Sequence, residues 1–260
     1  MNCLFKLCIR LACLALPAAC SQSAQQSADS STRQSIQGMN LLSPDHIPYG
    51  KIVIDGVVDD SWRYAPSFPM QFSMDGTIPN QHDFFGSVQY LWQEEGVNIL
   101  AHIYDDTISD QSPDPLENFW ADDVLEIFFD PDASGGIHQY SHQAFAYHIA
   151  LDGAVVDTGP NKKAMRFDHH IELARRVVET DNTGREYHLW ELRVQPFSAE
   201  LSAERLVAGT SVGLMVYYCD NDGTFKREHF MGTHPVSVKD GTANRGWIDA
   251  DTFPKLMLQE

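Results

Sequence analysis

The chain has 260 residues, 43% of them hydrophobic, which is enough for one large domain or two small ones. Its 18 Lys and Arg stand against 36 Asp and Glu, a formal net charge of −18. Such a surface repels phosphates and other anionic polymers, so it argues against nucleic acid and suits neutral ligands or cations.

The first residues set the compartment. Lys6 and Arg10 form a basic start, Leu11 to Leu16 a short apolar run, and Leu16-Pro17-Ala18-Ala19-Cys20 a small-residue cleavage site. The run is too short to span a membrane. Residues 1–20 resemble a bacterial lipoprotein signal, which implies that Cys20 becomes the lipidated first residue of the mature protein. Pro17 stands where such signals carry an aliphatic residue, so ordinary secretion stays open. Ser21 and Gln22 fit onward transfer to an outer membrane. The expectation is an exported lipoprotein facing the periplasm or cell surface, touching membrane only through this anchor. Residues 21–45, rich in Ser and Gln without apolar periodicity, read as a flexible tether. Cys3, Cys8, Cys13 and Cys20 belong to the leader. Cys219 is then alone in the apolar run Val212 to Cys219, and is expected to be a buried, inert thiol with no disulfide.

Beyond the tether the pattern is that of strands. Lys51 to Ile54 ends at Asp55-Gly56. Ser87–Trp92 and Val97–Tyr104 alternate around Glu94-Glu95-Gly96, and Ala144–Leu151 and Ala154–Asp157 flank Asp152-Gly153. His170–Glu179 and Tyr187–Val194 flank Asp181-Asn182-Thr183-Gly184. Val212–Cys219 and Lys255–Leu258 complete the series. Only Val57–Tyr64 and Ser198–Leu206 look helical. The expected fold is all-β: an antiparallel β-sandwich, jelly-roll or immunoglobulin-like, with one or two short helices, over residues 46–260.

The most informative stretch is Asn118 to Asp130. Leu125, Ile127 and Phe129 alternate with Val124, Glu126 and Phe128, and the run stops at Asp130-Pro131-Asp132. Trp120 precedes the strand, Asp123 enters it, and Glu126 interrupts an apolar run. An aromatic platform beside carboxylates suits a sugar, whose C–H face stacks on the ring while its hydroxyls donate to the carboxylates. A core-capping Trp120 and a solvated Glu126 fit the same residues.

Taken in order, these segments resemble a family 9 carbohydrate-binding module. Ile54-Asp55-Gly56 through Trp62 resembles its opening I-D-G-x-x-D-x-x-W. Trp120, Asp123 and Glu126 fall on W-x-x-D-x-x-E-I-F-x-D, and Glu191 to Val194 on E-x-x-I. Val212-Gly213 through Asp220 resembles its strand ending in aspartate, and Asn244 to Trp247 with Phe253 its closing N-x-x-W…F. The resemblance implies a β-sandwich that binds oligo- or polysaccharide without cleaving it, alongside a glycan-degrading enzyme or transporter. It implies a sugar held between Trp120 and Trp247, with Glu126 and Asn244 as polar partners and Asp123 as a direct or supporting acceptor. Where sugar-binding members carry an arginine and an asparagine, this chain has Ala146 and His148. His148 or Gln143 would have to compensate. The family also holds structural calcium, so the resemblance implies no required cofactor but admits a structural calcium ion. Asp105 and Asp220 are the residues of choice, within an acidic loop containing Asp106, Asp110 and Asp114 and the turn Asp220-Asn221-Asp222.

Three rival readings stand beside this one. A glycosidase needs two carboxylates facing each other across the bond, and no second acid conspicuously complements Glu126. A haem- or metal-binding sandwich would use His138, His142, His148, His169, His170, Met165 or Met231, but no spacing selects an axial pair, and the histidines read as surface groups. An envelope interaction module that has lost its sugar fits the tether and anchor equally.

Overall fold

The computed structural model describes residues 45–179, 186–224 and 226–260. The leader, the tether up to residue 44 and the turn expected at 181–184 lie outside the described residues. Among the described residues fourteen strands run in chain order: β1 (His46–Pro48), β2 (Ser67–Pro69), β3 (Phe72–Gly76), β4 (Phe84–Gln93), β5 (Gly96–Asp105), β6 (Val124–Asp130) and β7 (Phe145–Ala150). Then follow β8 (Val155–Thr158), β9 (Ala164–Arg166), β10 (Ile171–Glu179), β11 (Glu186–Val194), β12 (Ser211–Asp220), β13 (His229–Gly232) and β14 (Lys255–Gln259). One sheet has the order β1-β14-β12-β6-β7-β8-β9, with β13 on β12 and β3 on β13; the other has the order β10-β11-β5-β4-β2. Named strand pairs are antiparallel except β1, which runs parallel to β14.

Period-two alternation decides which side chains meet. Leu125, Ile127 and Phe129 of β6 face the other sheet, with Val212, Leu214, Val216 and Tyr218 of β12 beside them. They pack against Val97, Ile99, Ala101 and Ile103 of β5 and Trp190, Leu192 and Val194 of β11. The opposite face of β6 and β12 is also covered. There Val124, Phe128, Met215, Tyr217 and Cys219 pack with Phe230 and Phe253. All seven residues of β6 are buried, so its sequence reads as a nearly continuous apolar run, interrupted by Glu126 and ended by Asp130. Cys219 is buried and free, and burial pushes its thiol pKa well up.

The outer face of the five-stranded sheet is closed by the segment before β2. Ile52, Trp62 and Ala65 cover Leu91, Leu100 and Leu189. A single buried carboxylate fastens this cover: Glu191 accepts Asp55 N at 3.2 Å, Gly56 N at 2.9 Å and Trp62 Nε1 at 3.1 Å. The I-D-G…W segment and the E-x-x-I strand, 129 residues apart between Trp62 and Glu191, are thus one structural unit.

Three local expectations are corrected. Lys51–Ile54 is not a strand, because its amides are taken by side chains; Ile52 N donates to Gln93 Oε1 and Val53 N to Asp59 Oδ2. The helix expected over Val57–Tyr64 shrinks to a 3-10 turn, Asp60–Tyr64. Ser198–Leu206 is not helical: Leu201 has φ +58°, and the loop is closed by a Phe197–Ala203 bridge. Phe197 and Leu206 are its only core contacts, too few for an apolar helical face.

Candidate functional site

Glu126 lies on the face of β6 that points away from the inter-sheet core, and it is 2% exposed. Its cross-strand partner on β7 is His148. Glu126 Oε1 lies 3.2 Å from His148 Nε2, and His148 Nδ1 lies 2.9 Å from the Ala146 carbonyl. Both neighbours are acceptors, so a doubly protonated ring satisfies both contacts. Burial opposes that charge, but Glu126 outweighs it and the His148 pKa is raised. Asp157 on β8 completes the floor. It accepts Ala146 N and Thr158 N, yet burial still pushes its carboxyl up to about 7.

This floor closes a cavity of about 320 Å³. Its walls come from loops. Phe119 and Trp120 enter from the β5–β6 loop, Gln139 and Tyr140 from β6–β7, Arg227 from β12–β13, and Asn244 and Trp247 from β13–β14. Trp120 is 46% exposed and Trp247 38%, in contrast to 2% for Trp62, so neither is a core plug. Phe119 meets Trp120 edge-on at 4.9 Å and His148 at 4.7 Å, bracing the first indole against the floor.

The loops are held by specific bonds. His138 sits between Ala144 O (3.1 Å) and Gly246 O (2.7 Å), tying the β6–β7 loop to the residue before Trp247; burial lowers its pKa. Asn118 takes φ +52°, a conformation asparagine tolerates, and its carbonyl accepts Ala121 N, which turns the chain at Phe119-Trp120. Tyr140 lies on the cavity wall at φ +62°, an uncommon conformation for a bulky residue and one that clusters at ligand sites.

Of the seven residues selected for a ligand, Trp120, Glu126, His148, Asn244 and Trp247 line one cavity. Gln143 does not; it is exposed on the β6–β7 loop, and the glutamine on the cavity wall is Gln139. Asp123 is also corrected. It is fully buried away from this cavity, accepting Ser109 N at 2.7 Å and Asn221 N at 2.8 Å. Of the five histidines expected at the surface, His138, His142, His148 and His170 are buried and His169 is exposed.

Sequence reasoning missed Arg227. Its guanidinium carbon lies 4.0 Å from the centre of the Phe230 ring, and Nη1 is 3.5 Å from Cys219 Sγ, itself 3.7 Å from Glu126 Oε2. A guanidinium therefore reaches this cavity from β12–β13, although β7 carries alanine and histidine. Nothing in the loop's pattern signals it, because loops have no periodicity.

Asp105 and Asp220 end β5 and β12 at one edge of the sandwich, and with Asp222 they bring carboxylate oxygens within 4.8 Å of one another. Asp105 Oδ2 and both oxygens of Asp220 are buried without a hydrogen-bond partner. Burial and mutual repulsion push Asp105 up to about 6, Asp220 to about 8 and neighbouring Asp123 to about 9. Unpartnered buried carboxylates in contact fit a divalent cation with oxygen ligands. Asp110 and Asp114, expected in this group, lie outside it: Asp110 faces a separate polar recess, and Asp114 accepts Leu116 N.

A cleft on a β-sandwich with two exposed indoles over a buried carboxylate is the arrangement of a carbohydrate-binding module. Residues 54–260 match the family described as "Carbohydrate family 9 binding domain-like". The chain belongs to this family, whose members are non-catalytic carbohydrate-binding modules. It is 30% identical over 82 residues to endo-1,4-beta-xylanase A of Thermotoga neapolitana, covering 32% of this chain and 7% of that enzyme's length. A family 9 carbohydrate-binding module of Caldicellulosiruptor kristjanssonii in complex with cellotriose shares the fold with TM-score 0.59 and 18% identity, covering 82% of this chain and 92% of that one. A family 9 module of the same organism in complex with glucose gives a TM-score of 0.59 and 17% identity, covering 82% of this chain and 94% of that one.

Proposed function

We propose that the cavity between Trp120 and Trp247 holds a pyranose ring of an oligo- or polysaccharide, of the plant cell-wall glycan class. The observation that carries this is the meeting of two exposed indoles and the Glu126–His148 pair in one cavity. Stacking on the indoles removes C–H surface from water, Glu126 accepts hydroxyl hydrogens, and Asn244 and Arg227 offer donors to hydroxyl oxygens. The neighbouring complexes with cellotriose and glucose support a gluco-configured ligand. The leader and tether support an exported, lipid-anchored setting in which captured glycan passes to a degrading enzyme or transporter. A structural calcium ion on Asp105, Asp220 and Asp222 belongs to the same reading, supported by their unpartnered oxygens.

The test is titration with xylo-, gluco- and galacto-oligosaccharides, cellotriose included, followed by tryptophan fluorescence and calorimetry. Saturable binding lost in Trp120→Ala and Trp247→Ala, both still folded, names the sugar class. No binding across the panel in calcium overturns the reading and leaves the envelope interaction module.

A further inference from the structure

The acidic edge of the sandwich contains a histidine whose chemistry differs from that of its carboxylates. His229, at the start of β13, is 3% exposed. Its Nδ1 lies 2.7 Å from the Thr77 carbonyl oxygen. A carbonyl only accepts, so Nδ1 carries the hydrogen; with no cation present Nε2 donates to Asp83 as His148 does to Glu126, and a cation that displaces that proton meets the Nε2 lone pair of the neutral ring. That nitrogen faces Asp83 Oδ2 at 3.2 Å and Glu228 Oε1 at 3.7 Å. Asp83, Asp220 and His229 each bring one ligand atom within 4.8 Å of the other two.

We infer that Asp83, Asp220 and His229 form a site for a divalent transition-metal ion of the zinc or manganese type, separate from the all-oxygen position on Asp105 and Asp222. Three observations meet here. A carbonyl bond on Nδ1 that turns Nε2 toward the ion is how a ligating histidine is held in place. Asp220 is 1% exposed with both carboxylate oxygens unpartnered, so it can give one oxygen to each position. The spacing also fits. Two ligands bonded to one tetrahedral zinc at about 2.0 Å lie roughly 3.3 Å apart, and Nε2 to Asp83 Oδ2 is 3.2 Å. A mixed nitrogen and oxygen set favours a transition metal over calcium, which takes oxygen alone. Among the described residues no Lys or Arg forms an ion pair with Asp83, Asp105, Asp106, Asp220 or Asp222; His229 is the one basic side chain paired with this group, through Asp83, and a cation would compensate the carboxylates it leaves unpaired.

The experiment titrates the metal-stripped full chain with zinc against a chromophoric chelator, with calcium present and absent, and repeats it for His229→Asn and Asp105→Asn. The expected result is one tight zinc equivalent that survives calcium and Asp105→Asn but weakens at least about 100-fold in His229→Asn, since losing a mere supporting partner of a ligand costs 10–100-fold. Zinc binding unchanged in His229→Asn overturns the inference, as does zinc that calcium fully displaces. X-ray absorption on the unmodified zinc-loaded chain keeps the test independent of that variant's folding. An imidazole nitrogen shell at about 2.0 Å supports the site, and an all-oxygen shell overturns it.

Discussion

Glu126 Oε1 and His148 Nε2 lie 3.2 Å apart on neighbouring strands, with both side chains buried beneath the two exposed tryptophans. The pair makes the floor of the cleft sensitive to pH. Because the folded pKa of His148 is raised, the folded chain keeps a proton that the unfolded chain releases first. The pair's contribution is therefore fully present below the ordinary imidazole value of about 6.5 and is lost as pH rises through the raised folded value. A buried charged hydrogen bond contributes about 1.5–3 kcal/mol, which for a domain of roughly 200 residues is a Tm shift of about 3–12 °C. His148→Gln should lower Tm by that order at pH 6 and by clearly less at pH 9. Thermal melts of both proteins across this range check it, and a pH-independent difference would show that the proton is not held.

The tryptophans divide by exposure. Trp120→Ala and Trp247→Ala should each weaken sugar binding about 10–100-fold, or 1.4–2.8 kcal/mol, while moving Tm by less than about 2 °C. Trp62→Ala should do the reverse. It is 2% exposed and bonded to Glu191, so truncation should cost about 3–5 kcal/mol with little change in the affinity of the folded fraction. Calorimetry with the bound oligosaccharide, paired with thermal melts, separates the two effects.

Glu191 offers a prediction about the opposite sheet. Its two oxygens accept three donors, two of them backbone amides of the covering segment. In Glu191→Gln one oxygen becomes an NH₂ group, which faces a donor and leaves it unpaired. The expected loss is about 2–4 kcal/mol, because a buried donor left without a partner costs about 1–3 kcal/mol and the remaining bonds lose their charge. Amide exchange should quicken across residues 52–65, whereas sugar affinity should stay within about twofold. A matching loss of affinity would mean that the two faces of the sandwich are coupled.

The sequence carries most of the fold because alternation and turn chemistry are local. Leu125, Ile127 and Phe129 announce β6, and Gly153 at φ +90° closes the β7–β8 hairpin as Asp152-Gly153 predicts. Lys51–Ile54 shows the limit, since Gln93 and Asp59, distant or irregular in sequence, take the amides a neighbouring strand would have taken. The site is legible where its residues sit in motifs, as Trp120, Glu126, Asn244 and Trp247 do. It is illegible where a long-range contact decides the matter. Asp123 shares the motif of Glu126, yet the amides of Ser109 and Asn221 turn it to the acidic edge. His138 becomes a tie to the Trp247 loop only through Gly246, 108 residues away. Tyr140 and Arg227 reach the cavity from loops whose paths depend on the finished fold.

The same Asp123 and Asn221 connect the acidic edge to the tryptophan loop, so the calcium ion proposed above predicts that sugar binding depends on calcium. Asn221 follows Asp220 and donates through Nδ2 to Ala121 O at 2.5 Å, one residue beyond Trp120, while its backbone amide donates to Asp123. Without a cation, burial and mutual repulsion favour the protonated carboxyls of Asp105 and Asp220, and a cation that draws their ionised oxygens together repositions the turn that Asn221 anchors. Calcium at 100 times its dissociation constant should add about 2.7 kcal/mol of stability, a Tm rise of about 5–11 °C over chelator-treated protein. It should also tighten sugar binding several-fold by ordering the loop that presents Trp120. Asp220→Asn should abolish both responses. Asn221→Ala should keep the calcium-dependent Tm rise and lose the calcium-dependent gain in affinity, because it cuts the connection and leaves the carboxylates in place. Melts and calorimetry in calcium and in chelator distinguish these outcomes; equal sugar affinity in both, for the unaltered chain, would show that the Trp120 loop holds its shape without the ion.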